Sequence, residues 1–467
     1  MCGVGGALSV APMIHETTST LSPYTSLAEQ ARLVRDGEVT SRELVETSLE
    51  CIARLDPRLN AFRCVMADSA RAAAETAGKR GPLFGVPVAV KDNMDVAGEL
   101  TTHGTGAMMR VAREDAEVVK RLRAAGAVIV GKTNLPELAL WGHFTASKTH
   151  GVTHNPWNVE RSAGGSSGGA AAAVASGMVA AAVGSDGGGS IRLPSAMCGV
   201  FGLKPQRGRV PLTPDEGHWH GLTHFGPIAR SAADGALLLD AIGHGGPFHD
   251  AASTDPARLR VGLALNPTMP NVRLSKPVRQ SMARTAERLR ELGHDVMEVK
   301  PRYGMLLPAI MPRYLAGVAD DADRLDLPDA LEKRTRRMAA AGRRLHGRAL
   351  RRALEREPEI ARRINSVFED VDLLITPMVA QAPGKADASA AHGAFRTFND
   401  SPPYVAYSAV WNYTGQPAAA VPAGFDHDGM PLSVQIIARP HDERTLLALA
   451  AQLERATGGA ERRPAVS

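Results

Sequence analysis

Apolar positions near the start of the chain recur at helical spacing: Leu44, Val45, Leu49 and Ile52 follow Thr40 and Glu43. Threonine and glutamate three apart can cap each other's backbone N–H groups, so a helix is predicted to start here. It should end at Asp56-Pro57, since the residue before a proline is pushed out of the helical region. Gly81-Pro82 marks a turn, and Val86 to Val90 is a short strand-like run that stops at Lys91. A second helix is predicted over Asp115 to Ala125, with Val118, Val119 and Leu122 inward and Gly126 as its cap. Val128-Ile129-Val130 then reads as a buried strand, and helix followed by strand is the grammar of an α/β sheet.

Between Ala170 and Gly184 stand fifteen small or apolar residues, interrupted by Gly177. The run is shorter than the ~18 residues of a membrane span and reads as a buried helix and a following turn. The pattern changes after about Gly246: prolines, then an Arg-rich helical stretch to Asn365, then a strand over Val371 to Thr376. Gly384 to Pro403 is expected to be a loop. Leu432 to Ala438 is a last strand, Glu443 to Leu453 a closing helix, and the residues from Gly458 a frayed tail. No repeat of 20–50 residues is present.

Composition narrows the choice of function. With 467 residues, 44% hydrophobic and 22% charged, the chain can bury a large core and is neither disordered nor collagen-like. Aromatics at 4% argue against a surface that stacks successive bases. The four cysteines, Cys2, Cys51, Cys64 and Cys198, lack CxxC spacing, so neither a disulfide framework nor a zinc site is indicated. Met1 to Ser22 lacks a secretory signal pattern, and a cytoplasmic location is expected. Net charge is +5, but Lys333 to Arg363 carries twelve Lys/Arg against three Glu, a local +9 that leaves −4 elsewhere. That stretch is read as a solvated or salt-bridged helical cover rather than a nucleic-acid surface, because its arginines recur around the helix.

Three segments carry chemistry. Lys91 ends an apolar strand, where desolvation lowers the pKa of an amine. Gly164-Gly165-Ser166-Ser167-Gly168-Gly169 runs into an alanine-rich stretch, unlike a linker. Ser185-Asp186-Gly187-Gly188-Gly189-Ser190 would let successive backbone N–H groups converge on one point, suiting an oxyanion. A serine nucleophile needs a base, and the nearby histidines (His103, His143, His150, His154) lack a triad-like context. A neutral lysine can serve instead. Gly126 to Thr133 fits a P-loop pattern, but its interior is strand-like, so nucleotide binding is a poor reading. His218-Trp219-His220 reads as loop or pocket lining in the absence of further ligands, and Cys198 sits in apolar sequence where thiols are inert.

Together these segments resemble the amidase signature family. The resemblance covers roughly Ser26 to Leu453 and rests on GVPVAVKDN at Gly85, TT at Thr101, DAEVVKRLRAAGAVIVGKTN at Asp115, HNPWN at His154, GGSSGG at Gly164, SDGGGSIRLPSAMCGVFGLKP at Ser185 and NYTGQPAAAVPAG at Asn412. It implies an α/β fold with a central mixed β-sheet covered by helices on both faces. It further implies a single domain over 23–457 between tails 1–22 and 458–467. Within it lie a core of about 81–245, a variable substrate-side region of about 246–403, and a returning strand and helix over 404–457.

The resemblance implies amide hydrolysis with Ser190 as nucleophile, Ser166 (after a cis peptide bond) as bridging serine and Lys91 as base. Gly187, Gly188, Gly189 and Ser190 would supply the oxyanion hole, with Asp186, Arg192 and Ser167 in support. No cofactor and no metal are expected. The partner is a small-molecule amide, with no nucleic acid, no membrane span, and a homodimer left open. Alternatives are an esterase or aryl acylamidase using the same three residues, or the A subunit of a glutamyl-tRNA amidotransferase. Three departures bear on pocket shape: Gly187 where the family more often has a larger residue, Ala170 for a common serine, and Leu432-Ser433-Val434 lacking a frequent glycine. The first implies a looser nest. His103, Trp141, Trp219, Phe225, Tyr404 and Trp411 are the candidate pocket-lining residues.

Overall fold

The computed structural model describes residues 21–76, 81–388, 392–458 and 462–467. One mixed sheet of eleven strands organises the chain. Its strands are β1 (Phe62–Val65), β2 (Pro87–Lys91), β3 (Val128–Thr133), β4 (Ala181–Asp186), β5 (Phe201–Lys204) and β6 (His224–Ala229), followed by β7 (Arg260–Leu263), β8 (Asp295–Glu298), β9 (Leu373–Pro377), β10 (Ala418–Phe425) and β11 (Pro431–Ala438). They lie in the order β1-β3-β2-β4-β6-β5-β10-β11-β9-β7-β8. β2 runs parallel to both β3 and β4, while β4, β6, β5, β10, β11 and β9 pair antiparallel in succession.

Both faces of the sheet are covered, and strand alternation shows it. Val88 and Val90 join one core cluster together with Val118, Val119 and Leu122 of helix Glu117–Ala124. Ala89, between them, joins another with Val45, Leu49 and Ile52 of helix Ser41–Leu59 and Ala170 to Ala175 of helix Gly168–Ala175. A third cluster, around Trp141, Trp219, Leu315 and Trp411, fills the space between the sheet and the helices of the Arg-rich region. Among the described residues, no helix is long and apolar enough to cross a membrane.

Several sequence expectations shift. The first predicted helix passes Pro57 and ends at Leu59, where Asn60 turns left-handed and Asp56 accepts from the N–H groups of Ala61 and Phe62. The run to Gly184 ends as strand: after the helix, Gly177 turns the chain at φ 79°, and Ala181 to Gly184 enter β4. β-Branched content is low there, so only the neighbouring strands decide its conformation. The region expected to be a variable helical half contributes β7 and β8 to the sheet edge, and the expected loop over Gly384 to Pro403 contains helix Ala394–Asn399. The tail is packed in part: Val466 is buried, with its N–H on the Pro156 carbonyl, and Arg462 lies over the Phe425 ring. The remainder of the tail (459–461) and almost all of the N-terminal one (1–20, with Cys2) lie outside the described residues.

The Arg-rich stretch forms three helices, Lys333–Leu345, Arg348–Glu355 and Glu357–Asn365. Arg343 pairs with Asp323, and Arg363 donates to the carbonyls of Arg302 and Tyr303. Most of the other arginines here face solvent, so the stretch is a largely solvated helical cover with few ion pairs.

At the first helix the reciprocal cap is formed: Thr40 Oγ1 accepts from the Glu43 N–H, and a Glu43 carboxylate oxygen accepts from the Thr40 N–H at 2.7 Å. Thr40→Ala is therefore expected to cost about 1 kcal/mol, read as a lowered urea midpoint at unchanged m-value.

Candidate active site

The three segments singled out in the sequence meet at the ends of β2 and β4. Lys91, the last residue of β2, is fully buried. Its Nζ lies 2.7 Å from Ser166 Oγ, 2.8 Å from Ser185 Oγ and 3.4 Å from the Ser185 carbonyl. All three partners are neutral. Burial pushes the Lys91 amine well below the ordinary lysine value, against a smaller opposing pull from Asp186. A neutral amine fits the geometry: it accepts the Ser166 hydroxyl proton and donates to the two Ser185 oxygens. Burial lowers the Lys132 pKa too, but there it is opposed by the Asp92 carboxylate at 2.9 Å, a counter-charge Lys91 lacks among its hydrogen-bond partners. The Lys132 Nζ also donates to Thr101 Oγ1, so the Gly-Lys-Thr motif is strand and ion pair, not a phosphate loop.

Ser166 precedes helix Gly168–Ala175, and the Gly165–Ser166 peptide is cis. The glycines here are required by space: a Cβ on Gly165 would sit 2.1 Å from the Phe144 carbonyl oxygen. The Ser167 N–H donates to the Ser190 carbonyl at 3.1 Å and ties the two serine segments together. Ser190 Oγ has no hydrogen-bond partner among the described residues and opens into a cleft. Ser167 differs from the expected support of the lysine. Its hydroxyl bonds the backbone of Ser185, donating to the carbonyl at 3.1 Å and accepting from the N–H. The hydroxyl that does hold Lys91 belongs to Ser185, itself held by Asn93 Nδ2 at 3.0 Å. Both residues lie in quoted motifs, beside Asp186 and Asp92. Only their side-chain directions, unreadable from sequence, reveal the role.

Asp186 and Arg192 form a fully buried pair, with Arg192 Nε 2.9 Å from Asp186 Oδ2. The carboxylate also accepts from the N–H groups of Gly189 and Ile191 and from Asn412 Nδ2. Burial opposes its ionisation, but Arg192 and Asn412 outweigh it and hold the Asp186 pKa below the usual carboxylate range. This network shapes the glycine turn. The Gly189 N–H, expected as an oxyanion donor, is already directed at Asp186 Oδ1 at 2.6 Å. The N–H groups of Gly187, Gly188 and Ser190 have no acceptor among the described residues.

The cleft encloses about 900 Å³ including its open mouth. Beside Gly187, Gly188 and Ser190 its walls are apolar, with Trp141, Trp219, Leu306, Ile310, Met311 and Phe398 prominent. Of the predicted lining residues, Trp141 and Trp219 are there. His103 and Phe225 line a smaller cavity with Asn93, Tyr404 lines a separate one with His143, and Trp411 is wholly within the core. Nor is the nest loosened by Gly187. A Cβ there would lie 2.7 Å from the Trp219 ring, and one on Gly317 2.5 Å from it, so the indole fills the space between two glycines. Its Nε1 donates to Asp321 at 2.7 Å. Cys198, whose thiol burial pushes up, contributes no nucleophile.

Comparison with known proteins agrees with this geometry. The family model described as Amidase matches residues 43–447. AmiB2 of Mycobacterium tuberculosis, which carries a provisional amidase name, is 49% identical over 456 residues, 95% of this chain and 98% of that protein. The 6-aminohexanoate-cyclic-dimer hydrolase of Paenarthrobacter ureafaciens is 35% identical over 474 residues, 93% and 95% of the two chains. Among solved structures, a 6-aminohexanoate cyclic dimer hydrolase superposes with a TM-score of 0.88 at 32% identity, covering 96% of this chain and 99% of the other. A bacterial aryl acylamidase superposes at 0.84 and 26% identity, over 94% and 97%. The chain belongs to the amidase signature family, enzymes that hydrolyse carbon–nitrogen bonds in amides.

Proposed function

We propose that this amidase works through a seryl acyl-enzyme, with Ser190 as nucleophile, Ser166 as proton carrier and Lys91 as base. The observation that carries the reading is an amine buried among neutral partners only, 2.7 Å from a serine hydroxyl, under a turn with unpartnered N–H groups. Lys91 draws the Ser166 proton as Ser166 takes one from Ser190, whose oxygen attacks the amide carbonyl. The N–H groups of Gly187, Gly188 and Ser190 receive the oxyanion. Ser166 then passes its proton to the leaving nitrogen and is resupplied by Lys91; water, activated by the same route, releases the carboxylate. Asp186 and Arg192 position the turn, and Ser185 and Asn93 position the amine. A fluorophosphonate is expected to label the Ser190 peptide, and Ser190→Ala to abolish labelling and turnover together. Labelling that survives the substitution removes Ser190 from this role.

The pH dependence follows from the direction of the Lys91 shift. Only the unprotonated amine can act, so kcat/KM rises with pH through the lowered Lys91 pKa and is level above it. The midpoint is expected well below the ordinary lysine value, and Lys91→Met should remove the limb along with the activity.

The apolar walls support an amide with a bulky hydrocarbon or aryl group as the substrate class. Each methylene buried is worth ~0.8 kcal/mol, so kcat/KM should climb about fourfold per added carbon along a series of linear acyl amides until the cleft is filled. Equal rates for acetamide and its longer homologues would contradict this. Gly187→Ala places a methyl against the Trp219 ring, moving either the ring or the Gly187 N–H. A fall in kcat of roughly 10² is expected, the usual loss for one oxyanion donor, with the fold retained by circular dichroism.

A further inference from the structure

The cleft wall at Trp219 belongs to a short turn, His218–Gly221, in which Trp219 and His220 both hold positive φ (50° and 53°), a conformation costly for residues with side chains. The turn is fastened on both sides of the indole. His218 Nε2 lies 2.9 Å from Asp321, on helix Leu307–Asp323. On the other side His220 faces Asp320, the preceding residue of the same helix, and His346, which ends helix Lys333–Leu345.

We propose that His220, Asp320 and His346 form a binding site for a divalent ion of the zinc class. Their donor atoms all lie within 4.8 Å of one another. His220 Nε2 is 3.2 Å from one Asp320 oxygen and His346 Nε2 is 3.0 Å from the other. Ligands of a tetrahedral zinc, at roughly 2.0–2.2 Å from the metal, stand about 3.3–3.6 Å apart, so whichever Asp320 oxygen binds, one imidazole-to-carboxylate edge is already near its bound length. The remaining edges, all within 4.8 Å, close by rotation of the exposed His346. A second observation favours an ion over simple pairing. His220 Nε2 is shielded from solvent yet makes no hydrogen bond of acceptable geometry, despite the carboxylate at 3.2 Å. Two imidazoles and one carboxylate suit zinc rather than calcium or magnesium, which take oxygen donors. Three protein ligands leave a fourth position to water. The site joins this turn to two helices later in the chain, so a bound ion would brace the turn that carries Trp219. It does not depend on the mechanism proposed above.

The test uses the full chain without an affinity tag, stripped with EDTA and titrated with zinc by calorimetry. One equivalent per chain is expected. His346→Ala and Asp320→Asn should each weaken binding by at least about tenfold, while His427→Ala, at an exposed site outside the cluster, leaves it unchanged. Zinc should also raise the melting temperature of the native chain but not of His346→Ala, whose own melting temperature without metal reports its fold. Absence of one-to-one uptake, or affinity undiminished in both variants, overturns the site.

Discussion

A lysine amine taken out of water either finds a counter-charge or gives up its own, and the architecture of this amidase turns on which. Lys132 and Lys91 sit on neighbouring strands, both fully buried. Lys132 faces the Asp92 carboxylate and keeps an ion pair. Lys91 is offered two hydroxyls and a carbonyl. The anion whose charge reaches Lys91, Asp186, is already satisfied by Arg192, Asn412 and two backbone N–H groups. Desolvation of an unpaired ammonium costs several kcal/mol, so the amine is favoured neutral, the state the proposed base role requires.

The Asp186–Arg192 pair therefore does two things at once. It withholds a counter-ion from Lys91, and it fixes the path of the glycine turn by accepting the N–H groups of Gly189 and Ile191. Arg192 extends the hold across the fold, donating to Ser408, Asn412 and Gln435 near and within the C-terminal strands. The last quarter of the chain, though distant in sequence, thus helps set the turn that carries Ser190. Truncating either partner would leave an uncompensated buried charge beside the site.

Space is rationed as carefully as charge. Gly165 has backbone where a side chain would project, and Gly187 and Gly317 make room for one indole ring. That ring forms a wall of the cleft, so the space left by the missing side chain at Gly187 is filled from another element. The cleft is lined jointly by the glycine turn and helix Leu307–Asp323, which supplies Leu307, Ile310, Met311 and Tyr314.

Much was legible in the sequence because it is written locally or in unbroken motifs. The cap at Thr40, the strand ending at Lys91, the glycine-rich turns and the order of the motifs specify an α/β fold and point to the serines and the lysine. Backbone propensity and glycine's freedom act over a few residues, so the linear order preserves them. What the sequence left undecided required partners far apart in the chain. Lys91 meets Ser185 rather than Ser167, the Gly189 N–H goes to Asp186, and Trp219 rather than Trp411 reaches the cleft. Side-chain direction, burial and the competition for each donor are settled only when the strands have paired and the helices have packed. Those long-range contacts are where tertiary structure, not local pattern, decides the chemistry.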